Sequence, residues 1–209
     1  MFSSIKTYRK IALLLACSAL LVSCDRLLTP ETSVQELRAG QYTLDKDHAT
    51  LMFKINHLGF STYIGRFNEF DANLDFDPAN PADATLEVIV NTASIDVNNP
   101  TFAEDLRGAD WFDVATYPQA VFRTTSLVES NENSFVFAGD LTLLGVTQPV
   151  MLNVDFHGGG RNFLTRKYTL GFSGDVNFQR SAFGLDNLVA FGVGDDIEME
   201  IHVEFQDSN

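Results

Sequence analysis

From Gln41 onward the apolar residues recur at every second position, and that period limits what this chain can fold into. Leu51, Phe53, Ile55 and His57 alternate with Met52, Lys54 and Asn56. Phe70, Ala72, Leu74 and Phe76 alternate with Asp71, Asn73 and Asp75, and Leu86, Val88 and Val90 follow. Then come Phe135, Phe137, Gly139, Leu141 and Leu143, and after them Val150, Leu152, Val154 and Phe156. Tyr168, Leu170 and Phe172 make a shorter run. The last run sets Ile197, Met199, Ile201, Val203 and Phe205 against Glu198, Glu200, His202 and Glu204. Side chains on a strand point to alternate faces, so each run has one apolar face and one wet face. Turn signals fall between the runs at 77–81, 129–133, Gly145, Gly158-Gly159-Gly160 and 181–187. One stretch breaks the pattern: 101–114, acid-rich at its start after Pro100 and apolar at 102, 106 and 111, which predicts a short helix.

Eight or nine short strands joined by tight turns leave exposed edges unless the sheet closes on itself. The predicted fold is all-β: a single antiparallel up-and-down β-barrel of about eight strands over residues 41–207, with a helical insertion near residues 101–114. A barrel of that size has its lumen filled by side chains or holds one small ligand. A membrane-embedded eight-stranded barrel would show the same alternation turned inside out. Asp196, Glu198, Glu200 and Glu204 would then crowd a narrow lumen with no matching run of cations, and buried unpaired carboxylates are expensive.

The amino terminus follows a different logic. Lys6, Arg9 and Lys10 precede a twelve-residue apolar run, Ile11 to Val22, too short for a comfortable span but typical of a signal-peptide core. The run ends in Leu21-Val22-Ser23-Cys24, which resembles a bacterial lipobox. Residues 1–23 are therefore read as a lipoprotein signal peptide and Cys24 as the acylated mature terminus, anchored by two or three acyl chains where one would hold only weakly. The rival Cys17 would leave too short an apolar run before it. Residues 24–40 show no sustained period and read as a tether, and Asp25 resembles an inner-membrane retention signal. The expected location is the periplasmic side of the cell envelope. Formal charge is −14, and removal of the leader leaves 11 basic residues against 28 acidic ones, so nucleic acid is excluded as a partner.

Several ordered segments point to one family. They include Tyr42-Thr43-Leu44-Asp45, Phe53-Lys54-Ile55-Asn56-His57-Leu58-Gly59-Phe60-Ser61, Gly65-Arg66-Phe67 and Phe76-Asp77-Pro78. Further along stand Ala93-Ser94-Ile95-Asp96, Asp105-Leu106-Arg107-Gly108-Ala109-Asp110-Trp111-Phe112-Asp113 and Tyr117-Pro118. Gly139-Asp140-Leu141-Thr142-Leu143-Leu144-Gly145 and Arg180-Ser181-Ala182-Phe183-Gly184 complete the set. From Tyr42 to Phe205 the chain resembles the YceI-like family of periplasmic lipid- or polyisoprenoid-binding proteins. The resemblance implies a lipocalin-like barrel whose apolar pore takes a polyprenyl chain, such as a prenylquinone or polyprenyl phosphate, or in some relatives a fatty acid or amide. The chain departs from the family where Phe102-Ala103-Glu104-Asp105 replaces a common Arg-Asp-x-His run, and where Ala182 stands in place of Asp.

The inward-parity residues are the expected lumen wall: Leu51, Phe53 and Ile55, then Phe67, Leu86 and Val88, then Phe122, Phe137, Leu141 and Leu143, and finally Leu152, Val154, Leu170 and Phe172. His57, at a strand end beside Gly59, and Arg107 and Arg180, in motif segments, are head-group candidates. No nucleophile signature occurs, the four His show no ligand spacing, and Gly158-Gly159-Gly160 reads as a hairpin rather than a phosphate loop. No catalytic residue, cofactor or metal is assigned. The expected role is a lipid carrier or sequestering module; an enzyme or accessory acting on a prenyl lipid or quinone, and a side-chain-filled interaction module, are the other readings. Substituting Cys24→Ser should give an uncleaved precursor without the acyl mass, read by intact-protein mass spectrometry; a wild-type protein cut elsewhere and recovered in the soluble periplasm would refute the anchor.

Overall fold

The computed structural model describes residues 29–208; the expected leader, Cys24 and Asp25 lie outside the described residues. Ten strands form one sheet: β1 (Gly40–His57), β2 (Ser61–Phe67), β3 (Phe70–Phe76), β4 (Thr85–Asn91), β5 (Ile95–Asp96), β6 (Gln119–Ser130), β7 (Ser134–Leu143), β8 (Val146–Arg161), β9 (Tyr168–Gln179) and β10 (Val193–Asp207). All pairings are antiparallel, and β10 pairs back onto β1, closing an eight-stranded barrel. β2 and β3 act as one interrupted strand: β1 pairs with β3 through Gly40–Thr43 and with β2 through Leu51–His57. β4 and β5 interrupt in the same way, against β3 and β2 respectively. Asn68 and Glu69 sit in the gap, their amides donating to the carbonyl and hydroxyl of Ser94 (3.1 and 3.0 Å). The up-and-down order predicted from the alternation holds once these two breaks are recognised.

Helix α1 (Pro100–Arg107) is shorter than the predicted 101–114. Asn99 caps it by accepting from the Phe102 amide (3.2 Å), and Pro100 occupies the first turn, where its missing N–H loses nothing. Gly108 stops it, and residues beyond form turns, with the Phe112 amide donating to Leu106 O (3.0 Å). Ala103 and Leu106 face inward, against Ile95 and Val97. With the β1–β2 turn and residues 180–192, this segment forms the upper end of the barrel.

The lower end corrects two expectations. Residues 24–40 are not tether throughout: from Pro30 to Leu37 the chain lies across the barrel. Glu31 forms an antiparallel bridge with Gly159 (N–O 2.7 and 2.9 Å), and a 3-10 turn over Val34–Glu36 buries Val34 and Leu37. Burial of each contributes about 1.5–3 kcal/mol. Gly158-Gly159-Gly160 is not a hairpin turn but part of β8, whose hairpin with β9 lies at 162–167. The strip explains the glycines: a Cβ at Gly159 would come within 2.6 Å of Leu37, and one at Gly158 within 2.9 Å of Pro30.

Tyr42 belongs to this closure. Its ring is buried 6.5 Å from that of Tyr168, its hydroxyl donates to Arg38 O (2.6 Å), and the Arg38 guanidinium stands 4.5 Å over the Tyr168 ring. Burial, reinforced by Tyr168 and Asp207, pushes the Tyr42 phenol up from 10.0 to about 12. A pKa raised on folding means that the unfolded chain ionises first, so this contribution to stability is full below pH 10.0 and is lost as pH rises towards about 12. Urea unfolding midpoints at about pH 9 and about pH 11 should therefore differ more in the wild type than in Tyr42→Phe.

Candidate functional site

A cavity of about 510 Å³ runs up the barrel axis, within the usual range for small-molecule sites. Its lining is almost wholly apolar because eight strands turn their inward parity to one space. Thirteen of the fourteen expected wall positions face it: Leu51, Phe53 and Ile55 from β1, Phe67 from β2, Leu86 and Val88 from β4, Phe122 from β6, Phe137, Leu141 and Leu143 from β7, Leu152 and Val154 from β8, and Phe172 from β9. Leu170 does not. It is fully buried at the lower end, against Leu37, Phe156 and Tyr168, in the cluster that fills the barrel there. The bulge between Phe156 and Gly158 places Leu170 opposite Gly159, under the 30–37 strip rather than above it.

Two rings owe their posture to glycine. Phe53 packs against its cross-strand partner Gly65, where a Cβ would sit 2.3 Å from the ring, and Phe122 packs against Gly139, diagonal to it across the β6–β7 ladder (2.4 Å). Both glycines sit in motif segments of the sequence, and the close approach gives each a physical reason.

The β10 face, Ile197 to Phe205, also lines the cavity, as do Tyr63 and an aromatic group from the upper segment. Phe102 packs edge-on against Trp111 (centroids 6.2 Å) and Tyr63 (6.3 Å), and Phe112 against Phe67 (5.8 Å). The β10 residues were visible in the alternation though not among the chosen positions. The sequence marks Phe102 and Trp111 only as apolar positions of the predicted helix, not as cavity wall, and Phe112 comes from the turns beyond α1.

The three head-group candidates separate. Arg107 does not line the cavity: its guanidinium donates to Ala93 O (2.7 Å) and Ile95 O (3.0 Å) and pairs with Glu104 (3.1 Å), pinning α1 to the barrel rim. Arg180 touches the cavity but is buried, donating to the carbonyls of Leu185 (2.6 Å), Gly194 (2.8 Å) and Asn187 (2.9 Å). Burial lowers its pKa, opposed by Asp195 and Asp186. Asp195 accepts in turn from the amide and hydroxyl of Ser181 (2.9 and 2.7 Å), so the whole β9–β10 connection hangs on this pair of residues. His57 alone of the three sits exposed at the cavity's upper end, its ring 6.1 Å from Tyr63. Thr124 is a further polar lining residue, and its hydroxyl is taken by the Leu86 amide (2.9 Å).

Outside the cavity, the bulge between Leu44 and Ala49 brings ligand atoms of Asp45, His48 and Glu204 within 4.8 Å of one another, a grouping the sequence spacing did not suggest. Asp45 and His48 satisfy each other there (3.0 Å). Burial works to raise the Asp45 pKa, but hydrogen bonds from His48 and the Asp47 amide outweigh it and hold the carboxyl below its usual value.

Comparison with known proteins agrees with this architecture. Residues 42–205 match the YceI-like domain. The chain belongs to the YceI-like family. A UPF0312 protein of Vibrio cholerae is 36% identical over 168 residues, covering 79% of this chain and 87% of that one. Among solved structures, BcnA of Burkholderia cenocepacia superposes with a TM-score of 0.68 at 25% identity, covering 77% of this chain and 98% of that one. A YceI protein of Campylobacter jejuni gives 0.64 at 28%, covering 75% and 91%. A polyisoprenoid binding domain from Saccharophagus degradans shares the fold at 0.58 and 14% identity, covering 81% and 99%.

The arginine geometry yields a test. Arg180→Met should lower unfolding free energy by roughly 2–4 kcal/mol, because three carbonyls lose their donor together. Arg180→Lys should recover only part of it, since an ammonium cannot match the planar fork. A head-group arginine would instead leave urea stability unchanged in both variants.

Proposed function

We propose that this YceI-like protein is an envelope lipoprotein that binds one amphiphilic polyisoprenoid in its barrel, with the tail along the axis and a neutral head at His57, for transport, storage or sequestration. The observation that carries the reading is the open apolar cavity of about 510 Å³ in a barrel whose lower end its own chain fills. Each CH₂ buried there contributes about 0.8 kcal/mol, whereas association costs about 4–15 kcal/mol in lost freedom. A tail of several isoprene units meets that cost without a charged anchor. The described binding role of the Saccharophagus domain supports the ligand class.

The neutral head follows from the upper end. Phe102 stands where the family resemblance implies Arg, and Glu104 and Asp105 add carboxylates on the same helix. Arg107 and Arg180 are engaged with backbone carbonyls. A quinone-type carbonyl needs a single donor, which His57 offers, whereas a phosphate would lose its hydration without a free cation to meet it. The lipidated Cys24 and the periplasmic side belong to this proposal through the leader, Lys6 to Cys24.

The test is competition between a prenylquinone and a polyprenyl phosphate of equal chain length, at low and high salt, with mass spectrometry of the lipid retained. The quinone should win at both salts, and Phe137→Trp, which fills the lower cavity, should reduce retention while the barrel still folds. Stronger phosphate binding that weakens steeply with salt would overturn the neutral head. Unchanged retention by folded Phe137→Trp would overturn the lumen.

A further inference from the structure

Three features coincide at the β8–β9 hairpin. It reaches past β7: the β7–β8 ladder ends at Ser134 and Asp155, while β8–β9 runs on to Arg161 and Tyr168, six residues further, or about 20 Å of strand, and its 162–167 loop lies beyond the β9–β10 ladder, which ends at Thr169 and Gln206. Its tip is apolar: Phe163 is 68% and Leu164 77% exposed, in a loop held by the Asn162 side chain accepting from the Leu164 amide (2.9 Å) and by Arg166 N–H on Asn162 O (2.8 Å). And it is basic: Arg161, Arg166 and Lys167 fall in a stretch, 156–174, without one acidic residue, in a chain that has 28 of them. Among the described residues, the ion pairs to Lys and Arg use Lys46, Lys54, Arg66, Arg107 and Arg123, not these three.

The chain's own path supplies the occupant. Glu31 bridges Gly159 antiparallel, and Pro30 lies against Gly158 and Gly160. Followed back towards the amino terminus, the chain therefore runs down β8 towards the Phe163-Leu164 tip. Only four residues then separate Thr29 from Cys24, five Cα steps with a reach of about 18 Å at full extension.

We propose that this hairpin tip rests on the membrane that anchors the protein, with Phe163 and Leu164 in the interfacial layer and Arg161, Arg166 and Lys167 against anionic headgroups. Exposed aromatic and aliphatic residues flanked by cations are the composition that partitions into such a surface. The inference rests on the reading of Cys24 as the anchor. It fixes an orientation: the His57 end of the cavity, with its own exposed apolar residues Phe60 and Phe191, points away from that membrane.

The experiment uses the mature lipoprotein in phosphatidylethanolamine–phosphatidylglycerol vesicles. With Cys24 acylated and Cys17 removed, no free thiol remains, so Leu164→Cys and Phe60→Cys each take a single environment-sensitive label. The label at 164 should be blue-shifted and several-fold protected from aqueous iodide, and the label at 60 should be fully quenched. Replacing Arg161, Arg166 and Lys167 by Ser together should lose most of the protection at 164 while the protein stays vesicle-bound. Quenching at 164 in anchored protein overturns the proposal, as does protection at 60 alone. Intact mass of the same sample separates the two readings, since an unacylated Cys24 would show a missing acyl mass and a second labelled thiol.

Discussion

The ladder between β1 and β10 holds the architecture together. It pairs Tyr42 with Asp207 at one end and His57 with Val193 at the other, so it runs the length of the barrel and removes both edges of the sheet. It also fixes which face of every other strand turns inward, because a slip of one residue would exchange lumen and surface. The ion pairs that decorate it, Lys54 with Glu198 and Glu200, lie on the wet face and contribute little. What makes the pairing selective is that Leu51, Phe53 and Ile55 meet Ile201, Met199 and Ile197 on the same inward side.

Period two carried most of the fold, and its failures have identifiable causes. β10 and β7 could be read directly because they are regular. β6 showed no clean alternation, and the structure shows why: shifts in register between Thr124 and Ser126 and between Leu127 and Glu129 reset its parity twice. The glycines at 158–160 read as a turn because a chain crossing over a strand is invisible to local pattern. The wall of the cavity was legible wherever it belonged to a regular strand. The aromatic cover from Phe102, Trp111 and Phe112 was not, since a short helix followed by turns presents its residues one at a time.

The two arginines show the limits of reasoning from residue type. Each sits in a segment that resembles the family, and each has the chemistry to hold an anion. In the fold, both cross-link irregular backbone whose carbonyls would otherwise go unanswered. Loops at a barrel end lack ladder partners, so a buried guanidinium with several donors suits that task. The exposed end of the cavity is left with one imidazole and a ring of aromatics.

The strip from Pro30 to Leu37 has a consequence for traffic. Val34, Leu37, Tyr42 and Leu170 fill one end of the barrel, so the His57 end is the one left for entry. Under the proposed lipid binding, a chain would go in tail first and come out head first. Its polar group would then be the last part to enter and the first offered to a recipient, with no need for the molecule to turn round. A ligand longer than the cavity would overhang at the head, and the strip would act as a stop that sets how much of the chain remains in view.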